Sequence, residues 1–278
     1  MKAITVFRIH ADGVEAWTPK TFVPCGETDA ESCGLSPVDG QWLRLHVGAH
    51  TRMNVTIERK RVPPEVLKRE VKKRAALIEQ ETGRKLGKKA TKELSEQVQH
   101  ELLPKAFPKR TEVPVVMTGE GYLLVGSTSA ADVDIVTTLV CGAWPGLNLS
   151  QLNGERPAAH VFASWVLAGA ADVHGWCLGR EAVLKGETGK VAITGESLDR
   201  DQFRTLVQEG RTVKSLALTY DDRVGCVLTD TLQLKKFELL DLALESKDGH
   251  DLAADTVMLA SEVQRLLGSL MGEVLHAA

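Results

Sequence analysis

The chain is poor in aromatic residues: Phe, Trp and Tyr make up only 5% of its 278 positions. That is too few for the row of stacked rings on which single-strand binders seat successive bases. It also lacks any run of 18 apolar residues, which excludes a membrane-spanning helix. The opening residues MKAITVFRIHADG begin with one Lys and then alternate until charge interrupts them. Without the apolar stretch of a secretory signal, the expected compartment is the cytoplasm. Cysteine is sparse. Cys25, Cys33, Cys141, Cys177 and Cys226 are odd in number, widely spaced and never form C-x-x-C, so free, buried thiols in a reducing compartment are expected. No internal repeat and no low-complexity segment occurs.

Motifs that carry catalysis are missing or incomplete. Gly186, Gly189 and Lys190 imitate a P-loop, but its first glycine would fall at Leu184 and its Mg²⁺-binding hydroxyl at Val191. Gly119 and Gly121 begin a dinucleotide fingerprint whose third glycine is Leu124. His100-Glu101 opens like a zinc-protease helix, but the second His position holds Pro104. Cys25, Cys33, His46 and His50 match no zinc spacing. Asp132 and Asp134 lie two apart in a helical stretch and diverge, while Asp230 with Glu245 and Lys247 imitates a nuclease acid plus E-x-K in a charged loop. No Gly-x-Ser-x-Gly elbow is present. No metal and no cofactor is implied.

What the chain does have is a segregation of charge. Residues 59–110 hold 16 Lys/Arg against 7 Glu and no Asp, a local balance of +9, while the other 226 positions carry 18 basic and 30 acidic residues, or −12. A near-neutral total hides this asymmetry, which is the footprint of a surface for a polyanion. The candidate phosphate contacts are Arg59, Lys60, Arg61, Lys68, Arg69, Lys72, Lys73, Lys85, Lys88, Lys89, Lys105, Lys109 and Arg110. Glu70, Glu79 and Glu81 can pair with some basic residues at helical spacing, but seven carboxylates cannot neutralise sixteen cations. No helix-turn-helix, zinc-finger or basic-zipper pattern is present, so sequence-neutral contact with duplex phosphates is the best match.

Hydrophobic periodicity places this stretch. Pro64 suits a first helical turn. Leu67, Val71, Arg74 and Ile78 then define one narrow stripe, flanked by Val66 and Leu77. Gly83 and Gly87 end that helix, and a second is expected over 91–103, closed by Pro104 and Pro108. Around this basic hairpin, strands are expected at 4–9, 17–23, 42–47, 53–58, 113–117, 121–127 and 191–194, with 24–34 read as turn-rich. Helices are expected at 130–140, 158–167, 199–208 and 257–270. The stretch 215–230 reads as a β-hairpin about Tyr220-Asp221-Asp222-Arg223, with 231–240 as its third strand. The fold class is α+β, with mixed antiparallel sheets and a protruding basic helical hairpin.

Four motifs, in order, resemble the bacterial RdgC family of recombination-associated proteins. Phe22-Val23-Pro24-Cys25-Gly26 is similar to its F-x-P-C-G, and Leu102-Leu103-Pro104-Lys105-Ala106-Phe107 to its L-L-P-[KR]-A-F. Lys214 to Leu218 followed by Tyr220 and Arg223 resembles its L-A-L-x-W-x-x-R hairpin, and Leu234-Lys235-Lys236-Phe237 its closing strand. The resemblance implies a non-enzymatic protein that binds duplex DNA with little sequence preference, restrains RecA-promoted strand exchange and associates with the nucleoid. It also implies a homodimer closed into a ring around DNA, with Phe107 at one closing contact and the C-terminal sheet region at the broader one. The implied domains are 1–60 with 111–170 as a central α/β domain, 61–110 as a basic helical tip and 171–278 as a C-terminal α+β base. Three departures stand out: a short segment before the F-x-P-C-G motif, Gly195-Glu196-Ser197-Leu198 in place of a K-Q-D-L-like finger, and Tyr220 in place of Trp. The alternative functions are a metal-dependent nuclease of recombination and a docking arm for an acidic protein.

Overall fold

A computed structural model describes the chain apart from residues 12–15, 155, 170–174, 188, 195–199, 246–250 and 271–278. The segment Gly195–Leu198, the helix start at Asp199, Thr188 of the P-loop-like turn and Lys247 of the E-x-K pattern therefore lie outside the described residues. The fold is α+β, built on a large antiparallel sheet with seven α-helices among the described residues. The chain divides into two compact units. The larger holds residues 1–19, 37–54 and 113–278, the smaller 20–36 and 55–112.

In the larger unit the organising strand is β1 (Ala3–Ala11). Its residues Ala3 and Ile4 pair with β12 (Leu234–Leu239), Thr5 to Arg8 with β6 (Tyr122–Val125), and Phe7 to Ala11 with β7 (Leu147–Gln151). From β12 the sheet continues through β11 (Val224–Thr229), β10 (Thr212–Tyr220), β8 (Trp176–Lys185) and β9 (Lys190–Thr194), each antiparallel to its neighbour. β6 pairs with β5 (Pro108–Met117) through Val115 to Met117. β3 (Arg44–Val47) pairs with the first half of β4 (His50–Lys60). Alternation sends Ala182, Leu184, Val213, Leu216, Leu218, Leu228 and Leu234 to one face. There they form a core with α4 (Ala158–Ala168), α5 (Arg200–Gln208) and α7 (Leu252–Ser269), including the fully buried Phe162 and Trp165. α3 (Ala130–Ala143) buries Val133, Val136 and Val140.

The expected hairpin at 215–230 is present. Asp221 and Asp222 take positive φ of 48° and 53° in a tight turn closed by the Arg223 N–H on the Tyr220 carbonyl at 2.9 Å, with Tyr220 paired to Val224 across it. Arg223 leaves this turn and forks onto Glu262 of α7, its Nε 3.0 and 3.1 Å from the two carboxylate oxygens, its Nη2 also donating to that carboxylate, and its Nη1 donating to the Leu242 carbonyl at 3.1 Å. The Glu262 side chain is 2% exposed. Tyr220 stacks against Trp176 at 5.1 Å, and Trp176 donates to Ser269 Oγ on α7 at 2.8 Å.

Three expectations are corrected. Residues 17–23 form no strand. Trp17 instead packs on Trp144 at 5.8 Å beneath the Arg44 guanidinium, only Thr21 makes a bridge (to Leu35), and Pro19 and Pro24 withhold ladder donors. Residues 31–36, expected within a turn-rich stretch, form β2 (Glu31–Ser36), which neighbours β4 in the smaller unit. Its Gly34 marks a close approach rather than a turn: a Cβ there would sit 2.5 Å from the Phe22 nitrogen. β7 and β8 are not legible in the sequence pattern. In β8, Gly179 and bulges opposite β10 break the alternation that would announce it. The cysteines are all free, but only Cys226 is buried, its thiol pushed up to about 12 by desolvation.

Because Glu262 is buried and Arg223 is its forked partner, Glu262→Ala leaves a largely buried guanidinium without its carboxylate. It should destabilise the larger unit by roughly 3–5 kcal/mol in urea denaturation, whereas Glu262→Gln, which keeps one acceptor, should cost less.

Candidate nucleic-acid interface

In the smaller unit, α1 (Pro64–Thr82) and α2 (Lys88–Leu102) form the expected hairpin. Pro64 opens α1, and Gly83, at φ +68°, ends it with its N–H on the Glu79 carbonyl, a left-handed cap that a side chain would strain. α2 begins at Lys88, three residues before its expected start. A hairpin this polar has little apolar surface to hold it: α1 buries no residue fully, α2 only Val98. Arg74 supplies part of the deficit. It lies on the stripe with Leu67, Val71 and Ile78, reaches across to Glu101 of α2 at 2.7 Å and back to Glu70 at 3.3 Å. Its guanidinium holds the Glu101 carboxyl below the ordinary carboxylate value.

The candidate cations fall into two groups. Lys68, Arg69, Lys72 and Lys73 on α1, Lys85, Lys88 and Lys89 at the turn, and Arg61, Lys105 and Lys109 at the base are exposed. Arg59, Lys60 and Arg110 are engaged within the unit. Arg59 Nε donates to Glu31 at 2.6 Å, and Lys60 Nζ donates to the Gly26 carbonyl at 2.6 Å. Arg110 donates to Glu58 at 2.5 Å and lies 5.4 Å from the Phe22 ring centre, with its side chain still 58% exposed. Leu77, expected to flank the apolar stripe, is exposed.

Sequence reasoning passes over Glu58. Its side chain is 2% exposed, on β4, and it accepts from Arg110 and from the Cys25 backbone N–H at 2.8 Å. Cys25 Sγ also donates to the Glu58 carbonyl at 3.4 Å. The Arg110 hydrogen bond is the largest cause holding the Glu58 carboxyl below its ordinary value, while burial and the neighbouring Glu58 push the Cys25 thiol up. The F-x-P-C-G residues are therefore a latch: Phe22 under Arg110, Cys25 on Glu58, and Gly26 between Asp29 and Lys60. The one available signal is a lone acidic residue directly after the Val55-Thr56-Ile57 run of β4.

The L-L-P-K-A-F residues separate into anchor and tip. Leu103 is buried in a single 3-10 turn, Leu103–Lys105, and the chain then extends so that Phe107 is 93% exposed.

The metal-like patterns have other partners. His46 Nδ1 is 3.0 Å from Thr51 Oγ1, and His50 Nδ1 accepts from the Gly119 N–H at 3.2 Å, while Cys25 and Cys33 belong to the other unit. Asp230 accepts from Lys214 Nζ at 2.6 Å. Among the described residues, no three His, Cys, Asp or Glu are grouped as a metal centre requires. No described helix is long and apolar enough to cross a membrane.

Glu58 predicts a pH signature. A carboxyl whose value is depressed on folding stabilises the fold above its unfolded value, near 4.5, and this contribution is lost as pH falls through the folded value. Glu58→Gln should therefore lower the melting temperature at neutral pH, with the gap to the parent chain closing below about pH 4. Melting curves across that range check it.

The chain as a whole is similar to known proteins. A family model described as "Putative exonuclease, RdgC" matches residues 1–276. The chain is 34% identical over 274 residues to the recombination-associated protein RdgC of Cupriavidus necator, covering 94% of this chain and 91% of that one. It is 30% identical over 275 residues to the protein of the same name from Burkholderia cenocepacia, covering 95% and 89%. The Cupriavidus pinatubonensis protein is 32% identical over 272 residues, with 94% and 91% covered. The latch, the extended Phe107 turn and the Arg223 hairpin thus sit in a chain that belongs to the RdgC family.

Proposed function

We propose that this protein is a recombination-associated, non-enzymatic binder of duplex DNA. In this reading it acts with little sequence preference, closes as a homodimeric ring around the duplex, and limits the access of a RecA filament in the nucleoid. The observation that carries the DNA-binding part is the division of cations on the helical hairpin. Arg74 is consumed in holding α1 to α2, whereas Lys68, Arg69, Lys72 and Lys73 are exposed on α1. An ammonium-rich helix that does not spend its charge on the fold suits phosphate contacts, which position a protein on DNA without reading bases. The relatives' shared name, recombination-associated protein, supports the cellular setting. Ring closure draws its support from family membership and from the exposed Phe107, since a large aromatic held out in solvent suits a contact with a second copy.

Replacing Lys68, Lys72 and Lys73 together by Glu should weaken duplex binding and reduce the slope of log affinity on log salt by about 0.9 for each phosphate no longer neutralised. An unchanged affinity and slope would sink the assignment. The word exonuclease in the matching family description favours a second reading, a metal-dependent nuclease. Incubating the same labelled duplex with Mg²⁺ or Mn²⁺ separates the two, because cleavage that Asp230→Ala abolishes would replace the binding-only function. Independently, Phe107→Ser should shift the sedimentation equilibrium toward monomer and reduce retention on circular duplex. If neither changes, Phe107 has no part in the ring.

A further inference from the structure

The larger unit carries a second concentration of positive charge that residues 59–110 do not contain. On the sheet face opposite the helices lies a groove of about 390 Å³ lined by Lys185, Lys190, Lys214 and Lys235, with Ser215 and Asp230 among its polar neighbours. The alternation that buries Ala182, Leu184, Leu228 and Leu234 turns Val183, Lys185 and Lys235 outward. Lys214 is brought to this face by a bulge: Val213 pairs with Leu184 and Ser215 with Val183, leaving Lys214 unmatched on β8.

The charges are not balanced within the groove. Among the described residues Asp230 is the only acidic one lining it. It is already bonded to Lys214, both by its carboxylate at 2.6 Å and by its backbone N–H to the Lys214 carbonyl at 2.9 Å. Lys236, next in sequence to Lys235, is taken by Glu181 at 2.6 Å. Lys185, Lys190 and Lys235 are exposed, with no acidic partner within 4 Å among the described residues. Lys185 and Lys190 are direct cross-strand partners, a like-charge pairing that destabilises a hairpin unless an anion sits between the ammonium groups. All this occurs in a chain whose positions outside 59–110 sum to −12.

We propose that this groove is a second phosphate site, one that takes the sugar–phosphate backbone of a nucleic-acid strand; the inference rests on the DNA-binding function proposed above. The lysines are spread from β12 to β9 rather than converging on one point. At about 4.8 Å per strand this is a span of about 19 Å across the sheet. With one phosphate per 3.4 Å of axis along a strand, about five phosphates match that span, whereas a small phosphate compound would engage only one end. Ser215 supplies a hydroxyl of the kind that accompanies lysines on phosphate oxygens.

The test uses the full chain and fluorescence anisotropy with a short labelled duplex, and with its single strand, over a series of salt concentrations. Lys185→Ala/Lys190→Ala/Lys235→Ala should keep or raise the parent melting temperature, since it removes the Lys185–Lys190 repulsion, and lower the salt slope by about 2–3 on duplex and about 2 on single strand. Asp230→Asn, which removes the lone negative charge and releases Lys214, should tighten binding about two- to fivefold, a gain that damage to the fold would not produce. An unchanged slope in the triple variant, alongside loss of binding in the hairpin charge reversal, overturns the groove and leaves the hairpin function standing. The converse result keeps the groove and discards the hairpin. A parent chain with no salt-dependent affinity for either probe overturns both. If tripolyphosphate binds the parent and not the triple variant while the nucleic-acid slopes stay equal, the groove is a small-anion site and the backbone assignment fails.

Discussion

The larger unit depends on the hydrogen-bonding capacity of one strand. β1 uses both of its edges, pairing with β6 on one side and with β7 and β12 on the other. Residues 3 and 4 thereby close a loop that spans most of the chain, onto 235 and 234. Loop closure over such a separation is entropically costly, so the contact holds only because Ile4 and Val6 are also driven into the shared core. With β1 in place, the C-terminal meander β10–β11–β12 gains a neighbour on its open edge, and its apolar face can be roofed by α4 and α7.

Two buried carboxylates do for the loops and helices what β1 does for the strands. Glu262 draws Arg223, and with it the turn of the β10–β11 hairpin, onto α7. Glu58 draws Arg110 and the Cys25 backbone onto β4. In each case an arginine pairs with a carboxylate that has left water, as a fork at Glu262 and as a single bond beside the Cys25 N–H at Glu58, and the contact ties down a segment with little apolar surface of its own. A lone carboxylate in either place would be too costly to bury, which is why the arginines act as structural members rather than as surface charge.

This division bears directly on function. Arg74, Arg110, Arg59 and Lys60 hold the smaller unit together, so the surface proposed for a polyanion is left to the lysines and arginines the fold does not use. The same accounting on the larger unit separates Lys214 and Lys236, each beside a carboxylate, from Lys185, Lys190 and Lys235. Positive charge that is not consumed internally therefore occurs in both units, although one is basic in sequence and the other acidic.

Much of this is legible without coordinates, and the reason is local. Period 3.6 with terminal prolines and glycines marks α1 and α2, alternation about Tyr220-Asp221-Asp222-Arg223 marks the β10–β11 hairpin, and a count of charges marks the basic segment. These signals come from residues near one another in the chain. What escapes is what distant residues do to each other. β2 hides behind Gly34, whose reason is the Phe22 backbone against it, and β8 behind bulges that only β10 explains. Arg74 and Arg110 count as two more cations until Glu101 and Glu58 are seen to hold them. The four groove lysines fall between 185 and 235, where 8 Lys/Arg and 8 Asp/Glu balance, so no local excess of charge marks them. The sequence alone determined the helical hairpin, the β10–β11 hairpin and the family; pairing across the sheet decided which charges face solvent, because a side chain's partners are set by strand register and burial rather than by its neighbours in the chain.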